Sequence, residues 1–154
     1  METIPFNNDV EALLTACDLS VADLQDNVRV HFFGNCRAGE LVGVVGVERH
    51  GEIGLLRSLA VTATFRNGGL GRALVAHAEA WATHSGLKTI YRLTLTAGGF
   101  FKRLGYRRVD RAAAPPAIAV TAQFSGLCPS TATFMAKGLS VESPAGLEIN
   151  EGDR

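Results

Sequence analysis

The residues best suited to chemistry stand together in one stretch, Arg66-Asn67-Gly68-Gly69-Leu70-Gly71-Arg72. It follows an apolar segment ending in Leu59-Ala60-Val61 and opens a run with helical periodicity. At a strand-to-helix junction the first N–H groups of the helix lack partners and point outward with the positive end of the dipole. Glycines let a ligand approach that backbone closely, so the turn suits a phosphate or diphosphate, with Arg66 and Arg72 adding charge. Neither common phosphate loop fits. No Lys-Ser or Lys-Thr follows the glycines, as a P-loop requires, and a strand meander rather than the first unit of a doubly wound sheet precedes them. A turn that binds nothing would account for the glycines but needs no arginine beside them.

Outside this stretch the chemistry-bearing residues are scattered. His31, His50, His77 and His84 show no metal-ligand spacing, and no metal is expected. Cys17, Cys36 and Cys128 are odd in number and without a CxxC pair, which reads as reduced thiols in a cytoplasmic protein. Fifteen basic and fifteen acidic residues leave a net charge of +0, so neither a sequence-independent nucleic-acid binder nor a membrane-surface protein is expected. Any anionic ligand must then be held locally. No signal segment and no apolar run of membrane-spanning length is visible.

The elements that must position these residues follow from periodicity. Asn8 is a candidate helix cap, with Glu11 in the capping-box position and Val10, Leu13, Leu14 and Cys17 at helical spacing. Residues 21–25 suggest a second short helix. Residues 28–33, 41–48 and 53–61 read as an antiparallel meander with turns at 35–39 and 49–51, and its later strands lack polar alternation, so both faces should be covered. After the glycine turn a helix runs to about Ser85, with Leu70, Leu74, Ala78 and Trp81 on one face and Gly86 as its stop. Then come a strand at 88–96, a helix at 97–104 closed by Gly105, a strand at 106–111, a short helical or irregular piece at 117–124 opened by Pro115-Pro116, and a last strand at 131–137. The helix after the glycine turn is a crossover, so its flanking strands must be parallel. The expectation is an α/β (α+β) fold: one domain over residues 1–139, a mixed, mostly antiparallel sheet with helices on both faces, and a disordered tail at 140–154.

The strand, Arg-x-x-Gly-x-Gly, helix arrangement at Arg66, Gly69 and Gly71 resembles the acetyl-CoA diphosphate motif of the GNAT superfamily. Ala97-Gly98-Gly99-Phe100-Phe101-Lys102-Arg103-Leu104-Gly105-Tyr106 resembles that family's second signature, and the order and separation of the two match it. The resemblance covers roughly residues 41–139. More narrowly, Leu56-Arg57-Ser58-Leu59-Ala60-Val61, Phe100-Phe101 and Leu127-Cys128-Pro129-Ser130 are similar to a bacterial group of arsenic-resistance N-acetyltransferases.

The resemblance implies an acetyl-CoA-dependent N-acetyltransferase acting on the amine of a small, amino-acid-like acceptor by direct attack in a ternary complex. It implies a splayed parallel strand pair that takes the pantetheine arm beside Leu59, Ala60 and Val61. Arg66, Asn67, Gly68, Gly69, Leu70, Gly71 and Arg72 would hold the diphosphate, and Thr94 and Phe101 would flank the arm. An N–H of the 59–61 strand would face the developing oxyanion. The base would be Glu48 or Glu52, both read at a hairpin turn where a solvated glutamate is equally ordinary. Many relatives carry a tyrosine where this chain has Phe101, which has no proton to give. Ser130, Tyr91, Thr121 or water then protonates the thiolate, or that step needs little help. Arg57, read on the same face as Leu59, would meet a substrate carboxylate or an internal acidic partner. Cys128 would line the acceptor pocket or be a small buried apolar residue. Homodimerisation, with the apolar segment 115–124 at an interface, is a further implication. Because of Phe101, an acyl-CoA-binding or regulatory module without turnover is the alternative.

Overall fold

The computed structural model describes residues 1–25, 27–127 and 131–139. Seven strands form one sheet: β1 (Glu2–Ile4), β2 (Val30–Arg37), β3 (Glu40–His50), β4 (Ile53–Val61), β5 (Thr89–Thr94), β6 (Arg107–Arg108) and β7 (Thr133–Gly138). Their order is β1-β2-β3-β4-β5-β7-β6. Every pairing is antiparallel except β4 with β5. That exception is the one the sequence requires, because the helix between these two strands must carry the chain back over the sheet. The expected mixed sheet is present. The meander is longer than its pattern suggests: β2 runs on through Arg37 and β3 reaches His50, so the turns shrink to Ala38-Gly39 and Gly51-Glu52.

Among the described residues four α-helices cover the sheet: α1 (Asn8–Ala16), α2 (Leu70–His84), α3 (Gly98–Arg103) and α4 (Pro116–Ala119). The cap of α1 is Asn7, not Asn8; its Oδ1 accepts from Val10 N–H at 2.9 Å. Residues 22–25 form turns rather than a second helix. The long helix α2 buries Leu70, Leu74, Val75, Ala78 and Ala82 against one face, together with Phe101 of α3 and Tyr106. Trp81 lies only half-buried at its margin, in contact with His31 and Phe33. Helix α2 packs close because Gly43 has no side chain: a Cβ there would stand 2.9 Å from Leu74 Cδ1 and 3.0 Å from Leu70 Cδ2. That contact seats the first turns of the helix, and the glycine turn before them, directly against β3.

The other face carries two smaller apolar groups. Val10, Leu13 and Leu14 of α1 meet Phe32, Val44 and Ala60, while Ile118 of α4 meets Leu55, Leu93 and Phe134. Ile118 is fully buried and Phe124 stacks edge-on against Phe134, whereas Val120 is 78% exposed. Much of the apolar segment 115–124 is thus turned into this chain's own core. No helix among the described residues is long and apolar enough to cross a membrane. The expected tail, Cys128 and Ser130 lie outside the described residues.

Candidate active site

Strand β4 is the backbone of the site, and its geometry is set by one residue. Val44 pairs with Ala60 and Gly46 with Arg57, so Val45 alone faces two residues, Ser58 and Leu59. This is a β-bulge, and Ser58 adopts φ 59, the left-handed region that a serine seldom occupies. The extra residue reverses the side-chain alternation. Leu59 and Val61 therefore pack toward the α2 side, while Arg57 and Ala60 lie on the α1 side. The expectation that Arg57 and Leu59 share a face is corrected by this bulge.

The parallel pairing of β4 with β5 ends where the bulge begins. Its register runs from Ile53↔Thr89 to Leu56↔Arg92 and goes no further. Strand β5 continues through Leu93 and Thr94 in register with Phe134 and Thr133 of β7. Beyond Leu56 the two strands diverge, leaving a gap with strand backbone on each side. Thr62 N–H donates to Val42 O at 2.9 Å, so alternation turns Ala60 toward β3 and the peptide groups of Leu59 and Val61 toward the gap. The Val61 carbonyl accepts from Arg66 Nε at 2.9 Å, and Cys17 Sγ lies 3.8 Å from it.

At the open end of the gap lies the glycine turn. Asn67 at φ 65 and Gly69 at φ 86 are both left-handed, and Gly69 is the N-cap of α2. Leu70 is buried at the first position of the helix, while Gly68 is exposed. An open cleft of about 500 Å³ sits over the turn, lined by Val61, Arg66, Asn67, Gly69, Gly71, Arg72, Phe100 and Arg103. Three arginines, the N-terminus of a fifteen-residue helix and an apolar ring meet there. The donors suit a diphosphate, and the gap between β4 and β5 suits an extended arm that hydrogen-bonds to a strand edge.

Of the two aromatic residues in the second signature, Phe100 lines this cleft and Phe101 does not. The Phe101 ring is fully buried, edge-on to Phe100 and Tyr106, with the Arg92 guanidinium 4.6 Å from its centroid. Thr94, the last residue of β5, is buried, and its hydroxyl accepts from Ala97 N–H at 3.0 Å just before α3. Phe100 and Arg103 stand one helical turn apart on one face of α3. Their joint role was readable only from that spacing.

On the α1 side of β4 a buried ionic chain crosses the sheet. Arg57, with a side chain 1% exposed, donates from Nη1 and Nη2 to Asp23 at 2.6 Å each and from Nη1 to Glu48 at 2.8 Å. Glu48 Oε2 also lies 2.9 Å from His50 Nε2. Burial opposes the guanidinium charge, yet the bonds to Asp23 and Glu48 outweigh it and hold the proton on Arg57 more firmly than in free arginine. Arg57 therefore has internal acidic partners, and the argument for an acceptor carboxylate at this residue falls. Glu48 is corrected too: it lies within β3, buried, rather than in a solvated turn. Glu52 is the exposed turn residue. Glu48 pairs with Leu55, next to the end of the β4–β5 ladder, whereas Glu52 lies in the turn before β4.

Among the remaining hydroxyls, those of Thr121 and Tyr106 have structural work. Thr121 donates to Ile118 O at 2.7 Å; the Tyr91 ring stacks on Phe134, a contact that does not engage its hydroxyl. Tyr106 donates to Glu79 at 2.8 Å, and burial, reinforced by the Glu79 charge, pushes its pKa well above the ordinary tyrosine value. It is a core residue that keeps its proton.

These features find their counterpart among known proteins. Residues 6–106 match the acetyltransferase (GNAT) family. An uncharacterized N-acetyltransferase of Chlorobaculum tepidum is 36% identical over 93 residues, a match spanning 60% of this chain and 59% of that relative's length. The N-acetylglutamate synthase of Neisseria gonorrhoeae, solved with coenzyme A and N-acetyl-glutamate, shares the fold at TM-score 0.72 and 18% identity, over 88% of this chain and 34% of that one. Tetrahymena GCN5 does so at TM-score 0.71 and 13% identity, over 93% of this chain and 99% of that one. With the glycine turn, the splayed strands and the family match agreeing, the chain belongs to the GNAT family of acetyltransferases.

Proposed function

We propose that this protein is an acetyl-CoA-dependent N-acetyltransferase that acetylates the amine of a small acceptor in a ternary complex. The observation that carries the reading is the diverging β4–β5 pair whose open end leads to the glycine turn and its three arginines. Arg66, Arg72, Arg103 and the first N–H groups of α2 would hold the diphosphate, Leu59 and Val61 the pantetheine arm, and Phe100 the wall of the cleft. Acetyl-CoA supplies an activated acyl group as a thioester.

The acceptor enters from the α1 side, between the two smaller apolar groups, where Asp23 and Glu48 hold Arg57 and His50 meets Glu48. Glu48, beside the point where β4 and β5 part, takes the proton from the amine, directly or through His50 or a water. Glu52, exposed in the turn before β4, is the alternative base. With Arg57 held by two carboxylates, the site favours the acceptor's amine over an acceptor carboxylate. Amino-acid-like acceptors, including arsenic-containing ones, are then bound through other groups, and a cytoplasmic homodimer is the expected setting.

The test is thiol release from acetyl-CoA by the purified protein with panels of amino acids, polyamines and arsenic-containing amino acids. Acceptor-dependent release that disappears in Gly69→Asp establishes the activity and the acceptor class. Tight acetyl-CoA binding without release from any panel member would favour a binding module, and absence of both would overturn the reading.

A further inference from the structure

We propose that Arg92 is the electrophilic catalyst of the transfer, a fixed cation that receives the departing thiolate in place of a proton donor. This rests on the acyl-donor site proposed above. Arg92 is the last β5 residue in register with β4, opposite Leu56. Its guanidinium reaches back across the strand pair, donating from Nη1 to Leu56 O at 3.3 Å, and lies over the fully buried Phe101 ring. The positive charge therefore sits at the closed end of the gap. An arm that starts on the glycine turn and pairs with Val61 and Leu59 runs toward that end. From Val61 back to Arg57 is roughly 13 Å at the rise of an extended strand, less what the bulge at Ser58 takes up. The sulfur at the tip of the arm arrives where the strands rejoin, next to Arg92.

The chemistry asks for such a group. The amine lone pair forms a C–N bond at the thioester carbon, the C–S bond breaks, and its electron pair stays on sulfur. The ammonium proton passes to Glu48 or water. The sulfur leaves as a thiolate and takes a proton from solvent after release. Phe101 has no proton to offer, and Tyr106 keeps its own on Glu79. A guanidinium stays charged throughout the working range, and in a half-buried site it neutralises a thiolate without transferring a proton.

The experiment titrates the thiol of coenzyme A bound to the protein by the ultraviolet absorbance of the thiolate, against free coenzyme A. Saturation is verified by calorimetry. In the wild type the bound thiol should titrate at least one unit lower, a tenfold gain in thiolate at fixed pH. Arg92→Gln should abolish the shift and lower kcat about a hundredfold, the scale of losing one charge-stabilising donor, with KM for acetyl-CoA nearly unchanged. Arg92→Lys should keep most of the shift. An unshifted wild-type thiol, or a shift that survives in folded Arg92→Gln, overturns the assignment while leaving the acetyltransferase reading intact. Failure of the wild type to bind coenzyme A overturns both.

Discussion

Arg57 and its two carboxylates decide how the α1 side of the site is held. A buried guanidinium and its acidic partners gain from one another only while the set is complete. Arg57→Met leaves Glu48 and Asp23 facing each other without a cation, and a loss of about 3–5 kcal/mol is expected, read from urea denaturation. Glu48→Gln retains the Arg57–Asp23 pair and should cost far less stability. Its effect should fall on kcat, by roughly a hundredfold or more if Glu48 takes the acceptor's proton. Equal stability losses in the two variants, with activity of Glu48→Gln intact, would reduce Glu48 to a structural ion-pair member and remove it from the mechanism.

At the scale of elements, α2 is tied to the sheet along its whole length, and one of its contacts reports on pH. His31 of β2 lies against Trp81 of α2 with ring centroids 4.7 Å apart. Burial, helped by the nearby Arg49 charge, lowers its pKa below the usual histidine value. The unfolded chain then binds the proton more readily than the folded one. Stability is fully present above about pH 6.5 and declines as the pH falls through the two values. The midpoint of thermal unfolding should drop between pH 7 and pH 5 more in the wild type than in His31→Gln; identical slopes would mean that His31 carries none of the effect.

How much of these elements the sequence reveals depends on whether a local pattern or a distant partner makes them. The glycine turn, α2 and the parallel β4–β5 pair are legible because turn chemistry, helical period and crossover geometry are local rules. Strand β1, three residues long, is not, since only pairing of Glu2 with Gly34 and its neighbours makes it a strand. Asn7 rather than Asn8 caps α1 because both can, and the choice is made by where the chain enters the sheet. The bulge at Ser58 has no signature in residue type, and it alone decides that Arg57 turns from the cofactor side. The burial of Glu48 is hidden as well, because its guanidinium partner lies nine residues away on the adjacent strand. Asp23 was hidden in a stretch read as helix.

For the whole molecule, the net charge is zero, so on the proposed reading the local field of Arg66, Arg72 and Arg103 would draw the anion. The sheet is continuous through seven strands yet opens at one place, and that opening is built by the bulge on β4 and the end of the β4–β5 ladder. Strand edges that face a gap exchange their amide hydrogens faster than those in a ladder. The amides of Leu59 and Val61 should therefore exchange faster than those of Ala60 and Thr62, which face β3, although all four belong to one stretch of chain. Saturating coenzyme A should slow Leu59 and Val61 selectively, because the arm completes the missing pairing, and should raise the thermal midpoint by several degrees as ligand accumulates at about 100 times its Kd. Residue-resolved exchange by NMR, with and without coenzyme A, separates the possibilities. Uniform slowing along β4 would mean general stiffening of the domain, whereas no change at Leu59 and Val61 would mean that the arm does not lie between the strands, and the placement of both Arg92 and Glu48 beside the reacting atoms would fall with it.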